Sequence, residues 1–396
     1  MTLHPPASPI VPTDDDAATR HTERLTALIR EEISAAGGLL PFDRFMDLAL
    51  YAPGLGYYVA GAAKLGADGD FVTAPELSPL FGACVAAQCA EALQRLNGGD
   101  LLEFGAGSGA LAVAVLTGLE RLNALPGRYL ILEPSPDLQA RQRDRLRAQV
   151  PHLAGRCRWL TALPSELRGV VLANEVLDAM PVHRFRIGPQ GVPLEVFVAD
   201  TDGVLSEVTA PIRSAGLAAA VAALQAKGLA RTPGYCSEVN LRLAPWVGAL
   251  SHCLAAGLVL LIDYGNPVAA YYQPDRTMGT LMCHLRQQAH GDPFSHIGLQ
   301  DITADVDFSD AAQAARAVGL TLAGFSTQAQ FLIGCGIDQW LAAAAGSAQP
   351  TLDLVQAVKQ LMLPSAMGER FKVLGLSRGV AGPWRGFSTR DLRDRL

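Results

Sequence analysis

Leu101–Leu116, LLEFGAGSGALAVAVL, is the stretch on which the fold turns. A short apolar run ends in Glu103, then come Gly105, Gly107 and Gly109, then a helix-forming segment. Strand, glycine turn and helix in that order build a nucleotide-binding crevice at the C-terminal end of a parallel strand. Glycine permits the tight turn and a close backbone approach to a ligand, and the first helical amides point at that ligand. The glycines alone do not choose the ligand. Ala110 also allows a G-x-G-x-x-A match, so both NAD and S-adenosylmethionine stay open at this point.

Two acids narrow the choice. A carboxylate at Glu103 lies close to where a dinucleotide pyrophosphate would sit, and that repulsion is unfavourable. S-adenosylmethionine has no phosphate and carries a cationic sulfonium and ammonium, which an acid there suits. Downstream, RYLILEPSPDLQARQRDRL reads as a second strand, Arg128–Leu132, with Glu133 at its end. An acid in that place accepts hydrogen bonds from the ribose hydroxyls of an adenosine cofactor. The plainer readings are a turn cap for Glu103 and a dipole-stabilised surface acid for Glu133; together the two acids favour the cofactor.

Composition sets outer limits. The chain has 396 residues, 49% hydrophobic and 18% charged, which describes a globular protein of one large domain with additions, or of two. A net charge of −6 argues against nucleic acid as a partner. The seven cysteines are scattered, and Cys84 and Cys89 have no zinc-pair spacing, so buried thiols and no metal are expected. Met1–Arg20 has neither the apolar core of a secretory signal nor the acid-poor character of a transit peptide. No run of roughly twenty apolar residues exists to span a membrane. The expectation is a cytoplasmic protein.

Outward from the glycine loop, strand–helix alternation begins at Asp100 and predicts a parallel sheet with crossover helices. Strands are expected at 100–104, 128–133, 156–160, 169–173, 257–263, 320–326 and 370–376, the last pair forming an antiparallel edge hairpin. The fold class is thus α/β, a Rossmann-like, seven-stranded, mostly parallel methyltransferase sheet. Residues 1–20 read as a disordered tail, and 21–98 as an N-terminal helical cap opened by a helix at His21–Ala36. Residues 99–396 read as the methyltransferase domain. Two insertions break the alternation: a β-ribbon and Ala-rich helix at about 184–235, and a long polar loop at 266–300. Long loops in compact domains are usually functional, so both are assigned to the acceptor side.

The fourth strand runs into LANEVLDAMPVHRF, which places Asn174, Glu175, Asp178 and His183 on the rim of the glycine loop. Methyl transfer is an in-line displacement, so the protein mainly aligns two reactants and excludes water. A guanidinium acceptor stays protonated at neutral pH. Paired carboxylates would hold it and draw its charge away from the attacking nitrogen. Glu175 and Asp178 are the candidates, with Asp70 a third; a helix cap at Asp178 and backbone pairing by Asn174 are the plainer alternatives. Glu238, Asn240 and Asp263 lie near another strand end, and Asp263 is expected to face the crevice.

The chain resembles the MidA-type methyltransferases, bacterial relatives of a mitochondrial protein arginine methyltransferase needed for assembly of respiratory complex I. The resemblance runs from about Leu40 to Gly379. Its carriers are GDFVTAPELSPLFG (Gly69–Gly82), LLEFGAGSG (Leu101–Gly109), LEPSPDLQARQ (Leu132–Gln142), LANEVLDAMPVHRF (Leu172–Phe185), IDYG (Ile262–Gly265), PDRTMGTLMCH (Pro274–His284) and GDPFSHIGLQDITADVDF (Gly291–Phe308). It implies S-adenosylmethionine as cofactor, held by Gly105, Gly107, Gly109 and Glu133. Asn174, Glu175, Asp178 and Asp70 match the remaining signature positions. The implied partner is a protein whose arginine receives two symmetrically placed methyl groups, such as the quinone-side core subunit of complex I; a homodimer is a further expectation. Ala270 and Arg286-Gln287-Gln288 depart from the family's acidic and basic residues there. Another acceptor, or an assembly factor that keeps its cofactor site without catalysis, are the alternatives.

Overall fold

The computed structural model describes residues 15–60, 73–346 and 350–396. The apolar runs are strands covered on both faces. Leu101, Tyr129, Ile131, Val170, Leu172, Leu258, Leu260 and Ile262 enter one core. Their neighbours Leu102, Leu130, Val171, Ala173, Val259 and Leu261 enter the other. Successive strand side chains point to opposite faces, so a doubly covered strand is apolar at nearly every position.

The strands are β1 (Asp100–Phe104), β2 (Tyr129–Leu132), β3 (Cys157–Leu160), β4 (Leu167–Asn174), β5 (Leu254–Asn266), β6 (Thr321–Thr327) and β7 (Phe371–Arg378). They lie in the order β6-β7-β5-β4-β1-β2-β3, and the two-residue strand Val306–Asp307 pairs in parallel with the end of β5, so the sheet has eight strands where seven were expected. β7 runs antiparallel to β5 and β6, and the other pairings are parallel. All seven expected strands are present, with the antiparallel hairpin where it was expected. The chain leaves β1 toward β2 and β3 and returns on the opposite side at β4. The C-terminal ends of β1 and β4 therefore flank the switch-point crevice of an open α/β sheet. At the other end of this pair, a Cβ on Gly169 would lie 1.8 Å from the Asp100 carbonyl oxygen. Gly169→Ala is expected to cost about 3–5 kcal/mol, read as a lowered denaturant midpoint, because both partners are backbone.

Helix Pro79–Arg95, expected within the cap, packs in the sheet's own core. It meets helix Ala110–Arg121 through small residues: a Cβ at Gly82 would lie 2.4 Å from Ala114 Cβ, and one at Gly118 2.6 Å from Ala86 Cβ. The cap proper is shorter than 21–98, because this helix buries its small-residue face on the sheet side. The first helix starts at Asp15, so residues 15–20 are not part of a tail; Ala17 and Ala18 favour the helix.

The predicted β-ribbon forms a second sheet of His183–Ile187, Pro193–Thr201, Val204–Pro211 and Cys236–Val239. Leu40–Pro41 joins its edge against Phe197 and Val198. Residues 266–300 are not one long loop. They contain a short helix, Val268–Tyr271, and a strand pair, Met282–Leu285 with Gln288–His290, to which Asp301–Thr303 adds. Cys283 and Ile302 stand opposite each other and are fully buried, and that apolar side draws the segment into a sheet. Phe42, Phe45, Val182, Val198, Cys283 and Ile302 share one core, so the N-terminal segment packs against parts of both insertions, while Phe185, Leu217, Val221 and Tyr271 form a separate cluster that joins the insertions to each other. Among the described residues no helix is long and apolar enough to cross a membrane.

Candidate active site

β1 leads into a turn at Gly105 (φ 56°), Gly107 (φ 54°) and Gly109 (φ 86°). All three adopt the left-handed conformation that side chains disfavour, which is the local reason for glycine there. Before the turn, Glu103 is 2% exposed and accepts a 2.7 Å hydrogen bond from the Tyr129 hydroxyl. Burial pushes its carboxyl up to about 7. After β2, Glu133 accepts from the Ser135 amide at 2.9 Å and from Gln142 Nε2 at 3.2 Å, and burial raises its carboxyl. The loop is braced by Glu76, another lining residue, which takes Arg145 Nη1 at 2.7 Å and the Ser108 hydroxyl.

β4 leads into the second acidic turn. Glu175 has φ 53°, an unusual angle for a residue with a side chain, and accepts from Asn174 Nδ2 at 3.1 Å. Burial, then the neighbouring Asp178, raise its carboxyl to about 8. Asp178 is raised to about 6 by burial, opposed by a hydrogen bond from Tyr264. Asn174 Oδ1 and Asp178 Oδ1 are buried without a hydrogen-bond partner among the described residues. Across the space stand Tyr51 and Tyr58, stacked at 5.5 Å with a 20° interplanar angle. Tyr51 donates to the Ala179 carbonyl at 3.0 Å and Tyr58 to Asp301 Oδ2 at 2.9 Å.

Glu103, Gly105, Gly107, Glu133, Asn174, Glu175 and Asp178 all line one cavity of about 270 Å³, together with Tyr51 and Tyr58. Asp70 lies outside the described residues. Gly109 does not line the cavity; at φ 86° it is the left-handed residue that starts helix Ala110–Arg121, so its role is in the turn. Two other expectations are corrected, and His183, readable as a proton acceptor or, as is commoner for a lone histidine, a packed residue, takes the packed position. His183 faces Asp43 and Glu195 at 3.4 and 3.6 Å, away from the cavity lining. Glu238 is spent on Arg184 and Thr280. Asp263 is fully buried beneath the rim, where its Oδ2 accepts from the amides of Val176, Leu177 and Asp178. The tyrosine pair was missed. The Gly/Pro/Tyr-rich turn LYAPGLGYY was its visible trace, but nothing local places that turn over the crevice.

Among the described residues the lining holds five carboxyl groups, of which Glu76 is paired with Arg145, and no lysine, arginine or histidine. A pyrophosphate would enter a field of like charge, whereas a cationic adenosine cofactor finds uncompensated acids, an open glycine backbone and two unpartnered oxygens. The residues fit S-adenosylmethionine and not a dinucleotide.

Comparison with known proteins agrees. Residues 84–326 match a family described as "Putative S-adenosyl-L-methionine-dependent methyltransferase". A solved structure from Burkholderia thailandensis, described as a "likely methyl transferase" bound to S-adenosyl-homocysteine, is 42% identical, with a TM-score of 0.91, covering 98% of this chain and 100% of that one. The mitochondrial protein arginine methyltransferase NDUFAF7 of Danio rerio is 28% identical over 363 residues, 85% of this chain and 83% of its own. The Homo sapiens protein of the same name is 27% identical over 367 residues, 86% and 80% of the two chains.

Proposed function

The chain belongs to the MidA-type family of S-adenosylmethionine-dependent methyltransferases, and on that premise we propose that it methylates an arginine side chain of a partner protein. The observation that carries this reading is the acidic cavity, lined among the described residues by no cation, which Glu175 and Asp178 share with two stacked tyrosines. A planar cation matches it. Carboxylates take a guanidinium bidentately, and aromatic faces attract it.

When bound, S-adenosylmethionine supplies an electrophilic methyl group on a sulfonium. Glu133 takes the ribose hydroxyls, the Gly105 and Gly107 backbone allows close approach, and Glu103 adds negative charge toward the cationic end. Glu175 and Asp178 orient the guanidinium and keep its positive charge off the attacking nitrogen. As the N–C bond forms, that nitrogen must lose a proton, and the Glu175 carboxylate, raised to about 8, is a base matched to receive it. The tyrosines and the cap above them keep water from the reacting atoms.

The names of the mitochondrial relatives support an arginine acceptor. A complex I quinone-side core subunit is the acceptor to try first. The test is methyl transfer from isotopically labelled S-adenosylmethionine to that subunit and to cell extract, with the labelled residue located by mass spectrometry. Label on arginine is expected. Label only on lysine, on a carboxylate or in the small-molecule fraction would overturn the assignment. Calorimetry should show saturable S-adenosylmethionine binding and none of NAD.

A further inference from the structure

Gln142, on helix Pro136–Gln149, is fully buried and does not line the cavity, yet both ends of its amide are engaged at the site's edge. Nε2 donates to the Gly107 carbonyl at 2.9 Å and to Glu133 Oε2 at 3.2 Å. Oε1 accepts the Trp159 indole N–H at 2.8 Å. One side chain thereby ties the glycine turn after β1, the acid after β2 and the indole on β3. The indole nitrogen is a donor only, so it dictates which end of the amide is oxygen. The NH2 must then face Gly107 and Glu133. With the amide turned over, an oxygen would oppose a carbonyl and a carboxylate at once, and the indole would face a second donor. Gly109 packs directly beside Gln142: a Cβ built there would lie 3.4–3.6 Å from Gln142 Cα, Cβ and Cγ. The Arg143 guanidinium, 4.3 Å from the Trp159 ring centroid, covers the indole.

We propose that Trp159 and Gln142 form a positioning relay that aims the Glu133 carboxylate at the cofactor ribose, so that an indole outside the cavity sets cofactor affinity. The inference rests on the reading that Glu133 takes the ribose hydroxyls. Gln142 and Trp159 are positioning residues, since they act through Glu133 and the Gly107 backbone and touch no reactant.

The experiment is calorimetric titration of the full chain with S-adenosylhomocysteine, for the wild type, Trp159→Phe, Glu133→Ala and the double variant. Trp159→Phe keeps the aromatic body and removes only the donor. It is expected to weaken binding about tenfold on its own and less than about twofold once Glu133 is Ala, because coupled residues are non-additive. Unchanged affinity in Trp159→Phe while Glu133→Ala binds poorly would overturn the relay alone. Equal losses from Trp159→Phe in both backgrounds would also overturn it, since the indole would then act independently of Glu133. Wild-type affinity in Glu133→Ala would instead remove the ribose reading, and the relay with it.

Should Trp159→Phe not fold, Gln142→Glu decides the matter. It keeps an acceptor for the indole but sets a second carboxylate against Glu133. Its binding is expected to recover toward wild type as the pH falls from 8 to 6, because protonating one of two adjacent acids relieves the repulsion. A wild-type-to-variant affinity ratio that stays constant across that range would overturn the relay.

Discussion

Glu175→Gln is expected to lower methyl transfer about a hundred- to a thousandfold while leaving S-adenosylmethionine affinity within about threefold of wild type. The substitution preserves shape and hydrogen-bonding reach but removes the negative charge that Asp178 alone cannot replace, and it removes the proton acceptor. Cofactor affinity is spared because Glu133 and the glycine turn lie on other elements. The same variant has a second signature. Burial and Asp178 raise Glu175 to about 8 in the folded chain, well above an ordinary carboxyl. The native state therefore binds a proton that the unfolded chain has released, so stability without ligand falls as pH rises from about 4.5 to 8. Above 8 that cost is fully present, and below 4.5 it is absent. Glutamine never ionises, so Glu175→Gln should melt higher than wild type at pH 8.5 and near it at pH 4.5. A variant that transfers methyl groups at the normal rate, or melts lower at pH 8.5, would refute the role given to this residue.

Asp263→Ala is expected to be the most damaging single change near the site, costing about 3–5 kcal/mol and abolishing transfer. Its Oδ2 accepts from the amides of Val176 (3.2 Å), Leu177 (3.0 Å) and Asp178 (3.3 Å), and its Oδ1 from the Tyr264 amide at 2.9 Å. Burial and the nearby Asp178 and Glu175 push its carboxyl up, and the amides oppose that shift by stabilising the anion. Alanine leaves those donors buried without an acceptor, and the turn bearing Glu175 and Asp178 loses its support. Asp263→Asn keeps one oxygen acceptor and should lose less. The measurement is the denaturant midpoint of each variant, with transfer assayed where the chain is still folded. An alanine variant as stable as wild type would show that these amides find water instead.

The two acids differ in how far they could be read without coordinates. Glu175 follows a strand end on the rim of the glycine turn, and rim position is a local property. Asp263 also ends an apolar strand, and the same logic assigned it to the crevice. The fold instead turns its side chain under residues 176–178. Distinguishing the two requires knowing which turn lies over β5, and only the neighbouring β4 supplies it.

What the sequence by itself determined is whatever repeats along a strand or helix, or needs a special backbone angle. The seven strands were legible because doubly buried strands are apolar on both faces. The cofactor turn was legible because Gly105, Gly107 and Gly109 all require positive φ. Glu103 and Glu133 were legible because strand ends in a parallel sheet open onto one edge. Tertiary structure alone decided the rest. It brought Tyr51 and Tyr58 to the cavity that Glu175 lines, placed helix Pro79–Arg95 with the sheet, folded residues 266–300 against the N-terminal segment, and joined Gln142 to Trp159. Such contacts carry no sequence period. They arise where separate elements bury apolar faces together, and the polar atoms caught between those faces must find partners wherever the packing has left them.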